Sequence, residues 1–468
     1  MTQRLYVISD LHLGGDRTYA ICSPRGQALL SNFLQSLAEE ALAGNNVHLI
    51  VNGDSVDFLA EKEFSAFTVD DTAAKAKLAS IIKSNESVWN GFARFVKCGG
   101  ELTLTIGNHD IELAMPGPRS LLIQALGPGK VNLWLNGESL KIGDILIKHG
   151  NQYDRWNYVN HQALEKFRQS ILSNPDEPAS FNPPPGSRLV HEIMNPIKER
   201  FSFINLLKPE NQAAIPFIGI LSPSSLGYIP DFLPLFVDAQ AAKIDTAAVA
   251  GGVSFPNHHP ADQAELEFAT EMAYAYQDAQ QVGAISDWFT AWKEARDETH
   301  RRKQLLRLRR VLDRWLQNQL LTFDTTLESP EYLDPATRAA KEYGFRVILY
   351  GHTHLAKRIP IAGTQSVYLN TGTWADLMCV PDSILLPDLE AEGERQLSAF
   401  ADDLANNRPE RWTSRLPTFA RIDMQDGRAQ ETKLLIWKDN GTSEELPSGR
   451  LSRLFVKAQS SASTQGRS

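Results

Sequence analysis

Five short runs of β-branched and apolar residues in this chain each stop at an Asp, Asn or His side chain, and that recurrence limits the fold more than any other feature. The clearest is Leu102 to Asp110, LTLTIGNHD. Its apolar part reads as a buried strand and Gly-Asn-His-Asp as the tight polar loop after it. Asn108 offers a neutral amide oxygen to a hard cation, and His109 can hold or release a proton near neutral pH. Arg4 to Ser9 runs in the same way into Asp10, Leu11 and His12. The i, i+2 spacing puts a carboxylate and an imidazole on one side of an extended backbone, where both can reach one ion. Val47 to Asn52 ends at Gly53-Asp54, the ILIK run ends at His149, and Arg346 to Tyr350 ends at Gly351-His352-Thr353-His354.

Between these strand ends the spacing turns helical. Leu29, Phe33, Leu37 and Leu42 recur at helical intervals over residues 25 to 43, and a second helical segment spans Ala73 to Val96. Strand, helix, strand with acids at the strand tips is the arrangement in which open α/β folds build their sites. Val131 to Leu135 meets Asn136-Gly137, a strong hairpin signal, and with SLKI, Gly143-Asp144 and ILIK reads as a β-meander. Ser366 to Asn370 and the segments near Phe419 and Leu434 are expected to complete a second sheet. At 468 residues and 42% hydrophobic the chain is long for one domain, so a core with insertions or two domains is expected. A net charge of −9 disfavours a general nucleic-acid binder. Cys22, Cys98 and Cys379 have no paired spacing, which argues against a thiolate zinc site or a disulfide framework. With a strand entered at once in MTQRLYVISD, no signal peptide is read and a cytoplasmic location is expected.

Five of the 11 histidines (His12, His109, His149, His352, His354) stand at strand ends. With Asp10, Asp54 and Asn108 they form a mixed oxygen and nitrogen set, which suits two borderline divalent ions better than a thiolate or all-oxygen calcium site. The ordered motifs D-x-H, G-D, G-N-H-D, a later H and G-H-x-H resemble the calcineurin-like metallophosphoesterase superfamily, over residues 1 to 154 and 345 to 375. The resemblance implies an α/β fold, a four-layer αββα sandwich whose core is residues 1–154 and 343–456. A large, mainly helical cap at 155–342 and a smaller insertion near 380–415 interrupt it, and residues 457–468 read as a disordered tail. It further implies that Asp10, His12 and His354 hold one ion and Asn108, His149 and His352 the other, with Asp54 bridging them. The ions would be Mn²⁺, with Fe²⁺ or Zn²⁺ as alternatives, and hydroxide between them would attack phosphorus. His109 would be the general acid or hold a phosphate oxygen. Asp110 is expected to orient its imidazole, against the alternative of a loop cap.

Departures from relatives narrow the substrate. Phe58 stands where protein serine/threonine phosphatases of the superfamily have a phosphate-binding arginine. Asp57 and His12 stand where purple acid phosphatases have a tyrosine ligand and a glycine, so no coloured Fe³⁺ site is expected, and Asp57 is read as structural. HGNQYDRWNYVNHQALEKFRQ is similar in part to the UDP-2,3-diacylglucosamine pyrophosphatase family, with Asn151 in place of its aspartate. The expected activity is hydrolysis of a phosphoester or pyrophosphate bond in a phosphorylated small-molecule or lipid-linked substrate. The alternatives are a nuclease of the same superfamily and an inactive scaffold that binds a protein partner. The apolar run Ala213 to Val237 holds four prolines and Asp231, which argues against a transmembrane span. It is read as cap core, with a substrate groove or peripheral membrane contact as alternatives. From Arg296 to Leu321, Leu305, Leu308, Leu312, Trp315 and Leu316 form one stripe. Arg301, Arg302, Arg307, Arg309, Arg310 and Arg314 are read as the solvated face of that packed helix, with anion binding as the sharper alternative.

Overall fold

Strand β1 (Thr2–Ile8) is apolar where a central strand must be: Leu5, Val7 and Ile8 have no exposed surface. It is flanked by parallel β2 (Val47–Asn52), and β3 (Glu101–Thr105) and β4 (Lys130–Trp134) extend the sheet in the same direction. These observations come from a computed structural model. It describes residues 2–16, 18–135, 139–154, 156–174, 178–199, 201–207, 292–294, 297–306, 308–309, 312, 324–378, 384 and 391–451. The Asn136-Gly137 turn, the 213–237 run, Arg307, Arg310, Arg314, Trp315, Leu316, Cys379 and the tail after residue 456 lie outside the described residues.

Between β1 and β2 runs α1 (Pro24–Leu42), started by Ser23, whose Oγ accepts from Gly26 N, and by Pro24 in the first turn. Its buried stripe is Leu30, Phe33, Leu34, Leu37 and Ala38, while Leu42, expected on that stripe, is 71% exposed. The expected helix at 73–96 is two helices, α2 (Asp71–Ser84) and α3 (Glu86–Lys97), separated at Asn85, and α4 (Pro116–Leu126) precedes β4. Phe33, Trp89, Phe92, Phe95 and Leu122 join Leu49, Leu102 and Leu104 of the sheet in one apolar core. Leu164 and Phe167 of α5 (His161–Ser173) enter the same core, so the structural unit extends past residue 154.

The second sheet has five strands in the order β5-β6-β7-β9-β8, with β5 (Leu140–Ile142), β6 (Ile145–Ile147), β7 (Val347–Tyr350), β8 (Ala356–Pro360) and β9 (Val367–Thr371). Ala336, Ala339 and Ala340 of the helix Pro330–Tyr343 cover Leu146, Ile348, Tyr350 and Tyr368 of this sheet. Helices thus pack on two sheets in a mixed α/β sandwich. Two expectations change. β4 and β5 belong to different sheets, so only β5 and β6 form a hairpin, around Gly143 at φ 57°. A turn signal marks where a chain bends and not which sheet it then joins. The segments near Phe419 and Leu434 are the strands Thr418–Gln425 and Arg428–Trp437, and they join the first sheet, with Thr418–Gln425 antiparallel to β1.

The chain divides into two compact units, Met1–His191 with Leu321–Leu377 and Ser414–Ser468, and Glu192–Leu320 with Met378–Thr413. In the second, Leu305, Leu308 and Leu312 are buried as their spacing predicts. Arg301 lies over the Trp292 ring and 3.5 Å from Asp402, and Arg302 is 3.9 Å from Glu394. These two arginines therefore face acids of the helix Ala391–Ala405.

Glu112, just past the Gly-Asn-His-Asp loop, is buried with Oε1 accepting from Thr68 N at 2.9 Å. Burial pushes its pKa from 4.5 up to about 7, against the Thr68 hydrogen bond and Lys77. The folded state therefore holds the proton more tightly than the unfolded chain, so this contribution is fullest below pH 4.5 and is lost as the pH rises through 7. Glu112→Gln keeps the acceptor without the titration. Its stability relative to wild type should rise by roughly 3 kcal/mol between pH 4.5 and pH 8 in chemical denaturation. Parallel pH curves for the two proteins would contradict this.

Candidate metal centre

The chain leaves its strands in a conformation that residues with side chains seldom adopt. Among the described residues eight non-glycines have positive φ, and five of them are Asp10 (54°), His12 (46°), Asp54 (49°), His352 (69°) and His354 (63°). The two i, i+2 pairs therefore do not share a side through strand pleating, as the alternation suggested; each member occupies the left-handed region. Such residues cost on the order of 1–3 kcal/mol each unless their surroundings impose them. Here Asp10 N donates to Gly53 O (3.2 Å), His12 N to Asp54 O (2.9 Å) and Leu13 N to Ser55 O (3.2 Å), which ties the loop after β1 to the loop after β2.

Three donor groups result among the described residues. One of them, His12 with Asp57 and His109, shares His12 with the first of the two that follow. Asp10, His12 and His354 present ligand atoms within 4.8 Å of one another, and so do Asp54, His149 and His352. In the first, His12 Nε2 is 2.9 Å from His354 Nε2, which is 3.5 Å from Asp10 Oδ1. Asp54 belongs to both neighbourhoods: its Oδ2 lies 3.2 Å from His149 Nε2 and 3.8 Å from His12 Nε2. Asn108 is buried, with Nδ2 donating to Asn157 Oδ1 at 3.1 Å and Oδ1 making no hydrogen bond.

Electrostatics call for positive charge here. Burial pushes the Asp10 carboxyl up against the pull of His149. Burial acts the same way on Asp54, but His149, His109 and His12 outweigh it and hold Asp54 well below the carboxylate range. The His149 imidazole is opposed by burial yet pushed up to about 10 by Asp54 and Asp10. Its Nδ1 donates to Asn52 O at 2.8 Å, which leaves a buried Nε2 turned toward Asp54. An orphaned amide oxygen, imidazole nitrogens and buried carboxylates in one cluster fit divalent cations of borderline hardness.

His109 stands beside the Asp10 and Asp54 groups, its ring 4.7 Å from that of His12. The carboxylate that faces it is Asp57, with Oδ1 3.1 Å from His109 Nδ1 and Oδ2 3.4 Å from His12 Nδ1. Burial opposes the Asp57 charge, but His109 and His12 hold its pKa well below the usual range. The expectation for Asp110 is corrected. Its Oδ1 accepts from Gly107 N (2.7 Å) and its Oδ2 from Ser55 N (2.7 Å) and Ser55 Oγ (2.9 Å), so it clamps backbone and does not serve the imidazole. Burial, with Asp54 nearby, pushes Asp110 up to about 7. Sequence reasoning also passed over Asp154, whose Oδ2 is 3.0 Å from His352 Nε2. Asp57, read from the sequence as structural, is three residues past Asp54, and Asp154 follows His149 in the same loop; that spacing is the faint signal each carried.

Residues 3–202 match the family model for calcineurin-like phosphoesterase. The chain carries a calcineurin-like phosphoesterase domain. It is accordingly a metal-dependent phosphoric ester hydrolase, and its His/Asp groups are suited to divalent metal. No curated protein matches the chain. The match stops short of His352 and His354, yet both pack against the phosphoesterase residue Asp10, His352 through its N–H at 3.0 Å. No helix among the described residues is long and apolar enough to cross a membrane.

Gly107 permits this closure, since a Cβ there would overlap Asp54 Oδ1 and come within 2.6 Å of His149 Nε2. Gly107→Ala should cost about 1–3 kcal/mol in urea unfolding and lower the Mn²⁺ bound at saturation. Wild-type stability and stoichiometry would show that the close approach is dispensable.

Proposed function

We propose that the protein hydrolyses a phosphomonoester, phosphodiester or pyrophosphate bond at a two-cation centre, with Mn²⁺ as its metal. The reading is supported above all by the Asp54 carboxylate, whose Oδ2 lies near an imidazole nitrogen of its own donor group and one of the Asp10 group. Asp10, His12 and His354 would hold one ion, Asn108, His149 and His352 the other, and Asp54 both. When bound, such ions neutralise phosphate charge and acidify water.

The chain's own residues do the rest. His109 gives a proton to the leaving oxygen, and Asp57 holds its Nδ1 so that Nε2 is the nitrogen that delivers it. The same carboxylate lies against His12 Nδ1, so acid and ligand are set by one side chain. Asp110 fixes the loop that carries Asn108 and His109 against the loop that carries Asp54. We assign substrate choice, among phosphorylated small molecules or lipid-linked groups, to the sequence inserted between His149 and His352.

The test pairs metal analysis with a panel of p-nitrophenyl phosphate, bis-p-nitrophenyl phosphate, nucleoside diphosphate sugars and single-stranded DNA, all with Mn²⁺. His109→Ala should keep its metal and lose about 10²–10⁴-fold in kcat, whereas Asp54→Ala should lose both. Equal turnover in wild type and His109→Ala would remove the proposed acid. Full metal occupancy without turnover on any member would favour a protein-binding scaffold.

A further inference from the structure

The loop after His149 holds a chain of side chains whose donors and acceptors can be assigned from one end. Asp154 is a carboxylate and can only accept. Its Oδ1 takes the Trp156 N–H (2.9 Å), and its Oδ2 takes His352 Nε2–H (3.0 Å) and the amide of Asn157 (2.8 Å). The Asn157 atom facing it must therefore be Nδ2, which turns Oδ1 the other way. Asn157 Oδ1 can only accept, so the Asn108 atom 3.1 Å from it must be Nδ2. Asn108 Oδ1 is thereby aimed away, buried and without a hydrogen bond.

We infer that Asp154 and Asn157 form a positioning relay that fixes which face of the Asn108 amide, and which nitrogen of His352, is offered to the metal centre. With Nε2 of His352 held as a donor to Asp154, Nδ1 is the nitrogen left with a lone pair. An amide has one oxygen and one NH2 of nearly the same size, so without the relay the wrong group could face the cation at little steric cost. The relay is built into the fold. Asn151 Nδ2 donates to Asn157 O (2.9 Å), and Gly186 N donates to Trp156 O (2.7 Å). A Cβ on Gly186 would overlap Asn157 Oδ1, so the covering loop closes onto the amide itself. Neither Asp154 nor Asn157 needs to touch a cation, and the inference rests on the two-cation reading above.

A double-mutant cycle on full-length, metal-stripped protein tests it, with Mn²⁺ alone titrated by calorimetry and by electron paramagnetic resonance. Asn157→Ala should weaken one of the two Mn²⁺ affinities by about 10–100-fold. In the Asn108→Asp background the ligand is a carboxylate with two equivalent oxygens, which needs no choice of face. There Asn157→Ala should change the affinity by less than about threefold, the coupling that the cycle isolates. A loop that merely collapses would lose as much in both backgrounds, and that result would overturn the relay, as would unchanged affinity in Asn157→Ala alone. Wild-type protein that binds no Mn²⁺ would overturn the two-cation reading itself, and the relay with it.

Discussion

The Asp54 carboxylate facing His149 is the interaction on which the remainder depends. Asp54 stands at the end of β2 in one sheet and His149 at the end of β6 in the other, so their 3.2 Å approach joins the two halves of the sandwich where the chemistry lies. The junction is reinforced in backbone terms: Asn52 Nδ2 donates to Lys148 O at 2.7 Å, and Asn52 O accepts from His149 Nδ1. Burying Asp10, Asp54, Asp57 and Asp110 together would be unfavourable without partners. Each has them, from imidazoles or from backbone N–H groups, and that web of partners holds the strand ends in register.

A division of labour among these acids follows from what each one faces. Asp10 and Asp54 look into the cluster of imidazoles. Asp57 reaches two imidazoles from outside, one oxygen to each, and Asp110 touches only main chain and a serine hydroxyl. Four carboxylates of the same chemistry thus act as ligand candidates, as an orienting group and as a loop clamp. Placement alone separates these roles.

The strand ends were legible because apolar runs followed by Gly, Asp, Asn and His carry a local signal, and local signals survive in sequence. The two sheets were partly legible. That Thr418–Gln425 pairs with β1, or that β4 and β5 part company, is a matter of long-range pairing which no short window encodes. The left-handed backbone at Asp10 and His352 was hidden for the same reason, since it is imposed by bonds from other loops. Asp154 and Asn157 escaped because a carboxylate or amide in a polar loop looks alike whether it caps a turn or steers a neighbour, until its partners are known.

The pairing of β1 also bears on how the chain is made. One neighbour of β1 leaves the ribosome within some forty residues of it, and the other, Thr418–Gln425, about four hundred residues later. At ordinary elongation rates of ~5–20 residues per second that interval is on the order of half a minute. Throughout it, any sheet nucleated around β1 and β2 exposes a bare edge of unpaired N–H and C=O groups, the kind of surface that captures stray strands. Premature termination anywhere before residue 418 would leave that edge open for good.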